Sequence, residues 1–195
     1  MTIPEMLEKV KFEGAFANTF FAKNLFLQNK KKKEQMWLVV AAHDTKVDMK
    51  ALEKHLKTGS GNLRRGEADD MKALLGVEAG AVTVFSIVND KDKKVQLIMD
   101  ARLYNEFEQV GFHPMVNTHT SSISKDALKK FVELSGHTAM VVDFATLQSD
   151  AAETPAEKKP QPAKKAKETK PEVAQGAAQL GIEYKKEDNF SKWYA

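Results

Sequence analysis

The residues that can carry chemistry are a lysine, a histidine and a glycine-bearing loop, together with polar residues and separate basic clusters. Lys23 opens the apolar segment Lys23-Asn24-Leu25-Phe26-Leu27, directly after Phe20-Phe21-Ala22. A lysine held there can fix a positive charge beside an ester or a phosphate, although the pattern alone reads it as a solvated strand end. His113 stands in Gly111-Phe112-His113-Pro114. Glycine and proline favour a defined turn with the imidazole at its apex, where it can orient a substrate, assist proton transfer or serve structure alone. Asn117 and Thr120 follow in a polar stretch that can line a pocket or satisfy the backbone of the turn. In Gly76-Val77-Glu78-Ala79-Gly80-Ala81-Val82-Thr83, two glycines precede an apolar run, a setting in which main chain can approach a ligand closely. Lys30, Lys31, Lys32 and Lys33, with Arg64 and Arg65, are candidates for phosphate contact and equally for solvated turns.

Other chemistries are excluded or unsupported. The sequence holds no Gly-x-Ser-x-Gly elbow, P-loop, dinucleotide fingerprint or His-Glu-x-x-His helix. It has no cysteine, which removes disulfides, thiolate metal sites and a cysteine nucleophile, and the five histidines match no standard ligand spacing. We therefore expect neither metal nor cofactor. The missing cysteines fit a reducing compartment, and no apolar run approaches the roughly 18 residues that span a bilayer. Without a signal or transit pattern at the N-terminus, a cytoplasmic location and no membrane partner are expected. The net charge of +3 is unevenly placed, with 21 Lys and Arg against 20 acids up to Asp150. Nucleic-acid contact would thus come from a local patch, not from a global field.

The elements that must position these residues are short and mixed. Thr2-Ile3-Pro4-Glu5 reads as a capped helix start running to about Val10. Asn24 to Leu27 and Met36 to Ala42, separated by the lysine-rich stretch, predict an antiparallel hairpin. Met49 to Leu56 has helical spacing, with Asp48 as its cap. Val82 to Val88 and Val95 to Met99, joined through Asn89-Asp90-Lys91-Asp92-Lys93, predict a second hairpin. Ser124 caps a helix with Ala127, Leu128, Phe131, Val132 and Leu134 on one face, Gly136 stops it, and Ala139 to Phe144 forms a last strand. The fold class expected is α+β, a mixed, mainly antiparallel sheet with surrounding helices.

Apolar periodicity stops after Leu147. Residues 148–174 are rich in Ala, Lys, Glu and Pro and cannot bury enough surface to offset their ordering entropy, so they read as a flexible linker. From Gln175 large apolar side chains return, in Leu180, Ile182, Tyr184, Phe190, Trp193 and Tyr194. The expected division is a domain over 1–147, a linker over 148–174 and a further segment over 175–195.

Taken in order, these pieces resemble the YbaK/ProX family of aminoacyl-tRNA deacylases. The resemblance runs from Lys23-Asn24-Leu25-Phe26-Leu27 through Trp37-Leu38-Val39-Val40, Gly80-Ala81-Val82-Thr83, Asn89-Asp90 and Gly111-Phe112-His113-Pro114 to Gly136-His137. The lysine-asparagine, Asn-Asp and His-Pro elements are most similar to the ProX branch. That similarity implies hydrolysis of alanine mischarged on tRNA(Pro), with Lys23 as the essential lysine, His113 at the pocket and Gly80 in the loop that borders it. Asn24, Gly76, Ala81, Val82, Asn117 and Thr120 are the implied substrate-binding residues, and the basic clusters face the tRNA acceptor end. Val84 and Ala79 stand where the family has proline, and valine at 84 is expected to loosen the pocket wall. The segment from Leu180-Gly181-Ile182-Glu183 to Trp193-Tyr194 resembles the entry to the catalytic core of eukaryotic-type prolyl-tRNA synthetases. It implies a synthetase core in cis and no aminoacylation by this chain alone. The rival expectation is a non-catalytic module that holds tRNA or a protein partner.

Overall fold

Met36-Trp37-Leu38-Val39-Val40-Ala41-Ala42 is apolar throughout, which suits a strand covered on both faces, and the computed structural model buries all of it at the centre of a sheet. The structure describes Phe16 and residues 18–147. The capped helix expected over Thr2 to Val10, the linker and the C-terminal segment lie outside the described residues.

The strands are β1 (Thr19–Asn29), β2 (Met36–Ala42), β3 (Leu63–Arg65), β4 (Val95–Asp100), β5 (Gln109–Phe112), β6 (Ser121–Ser124) and β7 (Ala139–Val142). They join in the order β6-β5-β1-β2-β4-β7, with β3 added to β1. The helices are α1 (Met49–Leu56), α2 (Ala68–Leu75), α3 (Ala101–Asn105) and α4 (Lys125–Leu134), with a 3-10 turn over Val84–Asn89.

Because successive strand residues face opposite ways, the central strands feed two cores. Ala22, Phe26, Leu38, Val40, Leu97 and Met99 meet α2, the 3-10 turn, α3 and α4 on one side. Leu27, Trp37, Val39, Ala41 and Ile98 meet Leu52 of α1, Val142 and Phe144 on the other. The mixed α+β class expected from the sequence is what the chain forms. The pairings divide evenly: β1–β2, β1–β3 and β5–β6 are antiparallel, whereas β1–β5, β2–β4 and β4–β7 are parallel.

The first hairpin forms as expected, with Leu25 opposite Val39 and the lysines at its tip. The Asp48 carboxylate accepts the amides of Lys50 and Ala51 to cap α1, and the Ser124 hydroxyl accepts that of Ala127 to cap α4. The second hairpin does not form. Val84–Asn89 is a 3-10 turn, in which the Ser86 hydroxyl and amide both donate to the Thr83 carbonyl, at 2.6 and 3.1 Å. Such local bonds offer the backbone an alternative to a ladder, and β4, the strand it was expected to join, already pairs on both edges, with β2 and β7. Among the described residues no helix is long and apolar enough to cross a membrane.

Candidate active site

Lys23 lies within β1 opposite Ala41, on the sheet face that α1 covers. On its other edge β1 pairs with β5 only at Thr19–Phe21 and with β3 only at Leu27–Asn29. Among the described residues no strand pairs Ala22 to Leu25 there, so Lys23 and Asn24 sit at a gap in the sheet. The parallel register matches Phe21 with Gly111, and Lys23 and His113 both lie two residues further along. His113 and Pro114 therefore leave β5 at the level of Lys23. Gly111 permits this arrangement, because a Cβ on it would meet the Phe21 ring at 2.6 Å.

The Lys23 amine donates to the Thr45 carbonyl. Thr45 is itself anchored: its hydroxyl donates to Asp100 Oδ2 at 2.6 Å, beside the Ala42 amide on the same oxygen at 3.1 Å. Asp100 Oδ1 accepts the Arg102 amide at 3.0 Å, and the residue is 1% exposed. Arg102 grips Asp44 through two guanidinium nitrogens, at 2.9 and 3.3 Å. The same guanidinium carbon lies 5.3 Å from the Phe20 ring centre and 5.2 Å from that of Phe107. Phe20 stacks between Phe107, at 3.8 Å, and the His43 imidazole, at 4.8 Å. The loop after β2 and the junction of β4 with α3 thus deliver His43, Asp44, Thr45, Asp100 and Arg102 to the start of β1. Crevices beyond the ends of parallel strands are where open sheets place ligands.

Burial lowers the affinity of Lys23 for its proton, opposed by the carboxylates of Asp44 and Asp100. Burial also lowers His43, opposed by Asp44 and reinforced by the positive charges of Lys23 and Arg102. Burial pushes Asp44 up, but the Arg102 hydrogen bond and charge outweigh it and hold the carboxyl below its ordinary range. The group therefore presents a fixed amine, a neutral imidazole and a compensated ion pair beside stacked rings. Such a surface can hold an anionic or ester group and a flat aromatic one. For His43 the folded state binds its proton more weakly than the unfolded chain. Stability must then fall as pH drops through the unfolded value near 6.5. We expect the wild-type melting temperature to fall more between pH 7 and pH 5 than that of His43→Gln. Equal falls, followed by circular dichroism, would deny the burial effect.

The other expected residues are distributed unevenly. The His113 Nδ1 is 3.0 Å from the His119 carbonyl oxygen, which orients its ring; Asn117 is exposed and Thr120 half-buried in the same loop. Asn24 faces the main core, and its Oδ1 is buried without a hydrogen-bond partner, as is the hydroxyl of the fully buried Thr83. Gly76 closes α2 with φ +66°, and Gly80 takes φ +89°. The Gly76 amide donates to Lys72 and that of Ala81 to Glu78, so these two are spent on the turn itself. Val82 and Val84 are core residues, and Val84 is fully buried at the head of the 3-10 turn. Val84, where loosening of the pocket wall is expected, is packed away from solvent in the main core.

Lys30, Lys31 and Lys32 lie at the far end of β1, about 23 Å from Lys23 by strand rise. Arg64 and Arg65 pair with Gln28 and Leu27 near that end, and Arg64 also binds Glu67 at 2.6 Å. These basic residues are not gathered around Lys23. His43, Asp44, Asp100, Arg102, Phe20 and Phe107 are the neighbours that reading the sequence missed. Their signal was polar residues immediately after two apolar runs, His43-Asp44-Thr45 and Asp100-Ala101-Arg102. Among the described residues no group of three metal-ligating side chains comes together.

Comparison with known proteins agrees with this architecture. Residues 1–131 match the aminoacyl-tRNA editing domain family. The chain is 38% identical over 145 residues to the "Prolyl-tRNA synthetase associated domain-containing protein 1" of Mus musculus, covering 73% of this chain and 82% of that one. It is 34% identical over 143 residues to the "Prolyl-tRNA editing protein ProX" of Acetoanaerobium sticklandii, with 73% and 82% covered. It is 30% identical over 138 residues to a "Putative proline--tRNA ligase" of Schizosaccharomyces pombe, covering 70% of this chain and 19% of the ligase. The family match spans Lys23, His113 and the loops between them, and together with the length of the relatives' matches it leaves one conclusion: the chain belongs to the aminoacyl-tRNA editing domain family, in its YbaK/ProX-like branch related to prolyl-tRNA synthetase associated proteins.

Proposed function

We propose that this chain hydrolyses the ester of alanine mischarged on tRNA(Pro). The observation that carries the reading is the Lys23 amine, half-buried at a gap in the sheet, with His113 leaving the neighbouring strand at the same level. Water attack on an aminoacyl ester needs no covalent nucleophile. It needs a positioned ester and charge beside the developing oxyanion. Lys23 supplies the charge, held toward the site by Thr45 and Asp100. His113 orients the substrate or assists proton transfer. The Gly80 amide, which donates to no group among the described residues, is the backbone donor for the oxyanion. Rejection of proline is steric: a pocket sized for a methyl group excludes a ring. The names of the mouse and Acetoanaerobium relatives support the link to proline decoding. The similarity to part of a proline–tRNA ligase supports a synthetase core joined in cis beyond the linker.

A second reading, a tRNA- or protein-holding module without turnover, draws on the Gly76 and Ala81 amides being already bonded. Offering alanyl-, cysteinyl- and prolyl-tRNA(Pro) side by side separates these readings. Loss of alanine with proline retained is expected. Loss of cysteine alone would reassign the substrate, and binding of all three without hydrolysis would leave the holding module.

A further inference from the structure

The rings at the start of β1 are stacked in a way that the rings on the main core are not. There, Phe85 meets Phe112 and Phe131 edge to face, at interplanar angles of 68° and 89°, an arrangement that the aromatic quadrupole favours. Phe107, Phe20 and His43 instead lie face on face, with Phe107 and Phe20 within 4° of parallel and His43 tilted by 28°. They come from three places: the turn after α3, the first residues of β1 and the loop after β2. All three are partly exposed, as is Arg102, whose guanidinium lies beside both phenyl rings.

Both faces of Phe20 are thus taken, and His43 ends the stack. Its backbone is fixed, since the His43 amide donates to the Phe21 carbonyl at 2.9 Å. Its ring is uncommitted: among the described residues the imidazole nitrogens bond to no group, and no ring but Phe20 stacks on it. The charges around it are Lys23, Asp44, Arg102 and, behind Thr45, Asp100. Asp44 and Arg102 compensate each other, and burial favours the neutral imidazole. A flat, uncharged and partly exposed ring that ends a stack is a surface on which an unpaired base can continue it.

We propose that the stack of Phe107, Phe20 and His43 is a nucleobase platform, on which the terminal base of an RNA 3′ end lies against the imidazole. The assignment to the aminoacylated end rests on the editing function proposed above. The spacing suits one nucleotide. Phe20 precedes Lys23 by three residues, about 10 Å by strand rise. The Lys23 amine is bound by the loop that carries His43, through the Thr45 carbonyl two residues further on. A base on His43 therefore leaves its own ribose ester beside that amine. Stacking tolerates any base, so the platform orients the end and leaves discrimination to the aminoacyl group.

The test compares the affinity of the full chain for uncharged tRNA(Pro) and for the same RNA lacking the base of its terminal nucleotide, by fluorescence anisotropy. Wild type is set beside His43→Gln, which removes the ring, and His43→Phe, which keeps a ring but no nitrogen, each checked for an unchanged circular dichroism spectrum. Wild type should prefer the intact RNA by about tenfold, the scale of one stacked base. His43→Gln should bind both RNAs alike, and His43→Phe should keep the preference. The salt dependence of binding should be the same in all three, because no phosphate contact is lost. Equal binding of the two RNAs by wild type, or a preference that survives in His43→Gln, would overturn the proposal. So would its loss in His43→Phe, which would make the nitrogens and not the ring face responsible. A base preference that depends on the ring in a chain that hydrolyses nothing would leave the platform standing and sink the editing function. Hydrolysis without a base preference would do the reverse.

Discussion

Lys23→Ala is expected to lower kcat/KM for alanyl-tRNA(Pro) by about 10²–10³-fold, the scale on which loss of one group that stabilises an oxyanion is felt. The amine is half-buried, and no other cation sits at the gap between β5 and β3 at its level among the described residues. Arg102 is committed to Asp44, and the hairpin lysines stand about 23 Å away. Stability should change little, by about 1 kcal/mol or less. The substitution frees the Thr45 carbonyl, but it also removes the cost of desolvating a charge. Hydrolysis assays and a melting curve on the same preparation separate the two effects. Activity within about threefold of wild type would remove Lys23 from the mechanism.

Asp100→Ala should cost about 3 kcal/mol or more, since it strands three donors, the amides of Ala42 and Arg102 and the Thr45 hydroxyl. Each unsatisfied buried group is worth about 1–3 kcal/mol. The loop that holds the Lys23 amine loses its anchor in the same step, so activity should fall even in the fraction that remains folded. Asp100→Asn keeps an acceptor and the side-chain volume, and it should recover part of the stability. Urea denaturation measures the difference, and midpoints matching wild type for both variants would show that the carboxylate does not organise the loop.

Much of the fold was legible where the determining interactions are local. The β1–β2 hairpin follows from two apolar runs around lysines, and the Asp48 and Ser124 caps are set within three residues of their partners. The 3-10 turn was not legible, because Val82, Thr83 and Val84 carry strand propensity and only the filled edges of β4 turn them away from a ladder. Short β3 and the parallel pairings depend on contacts distant in sequence, for which no nearby residue gives a signal. The site divides in the same manner. Lys23 and His113 stood out through their resemblance to a family motif, whereas the groups around the lysine arrive from afar: Arg102 meets Asp44 across 58 positions. The basic clusters were legible as charge but not as place. Read from the sequence only as candidates for phosphate contact, they lie at the other end of β1 from Lys23.

The measurement that bears most directly on editing is the release of alanine from alanyl-tRNA(Pro) by catalytic amounts of the wild-type chain, beside prolyl-tRNA(Pro) under the same conditions. The account predicts many alanines released per protein molecule while prolyl-tRNA(Pro) decays no faster than without protein. Saturable binding of alanyl-tRNA(Pro) with its ester intact would contradict it.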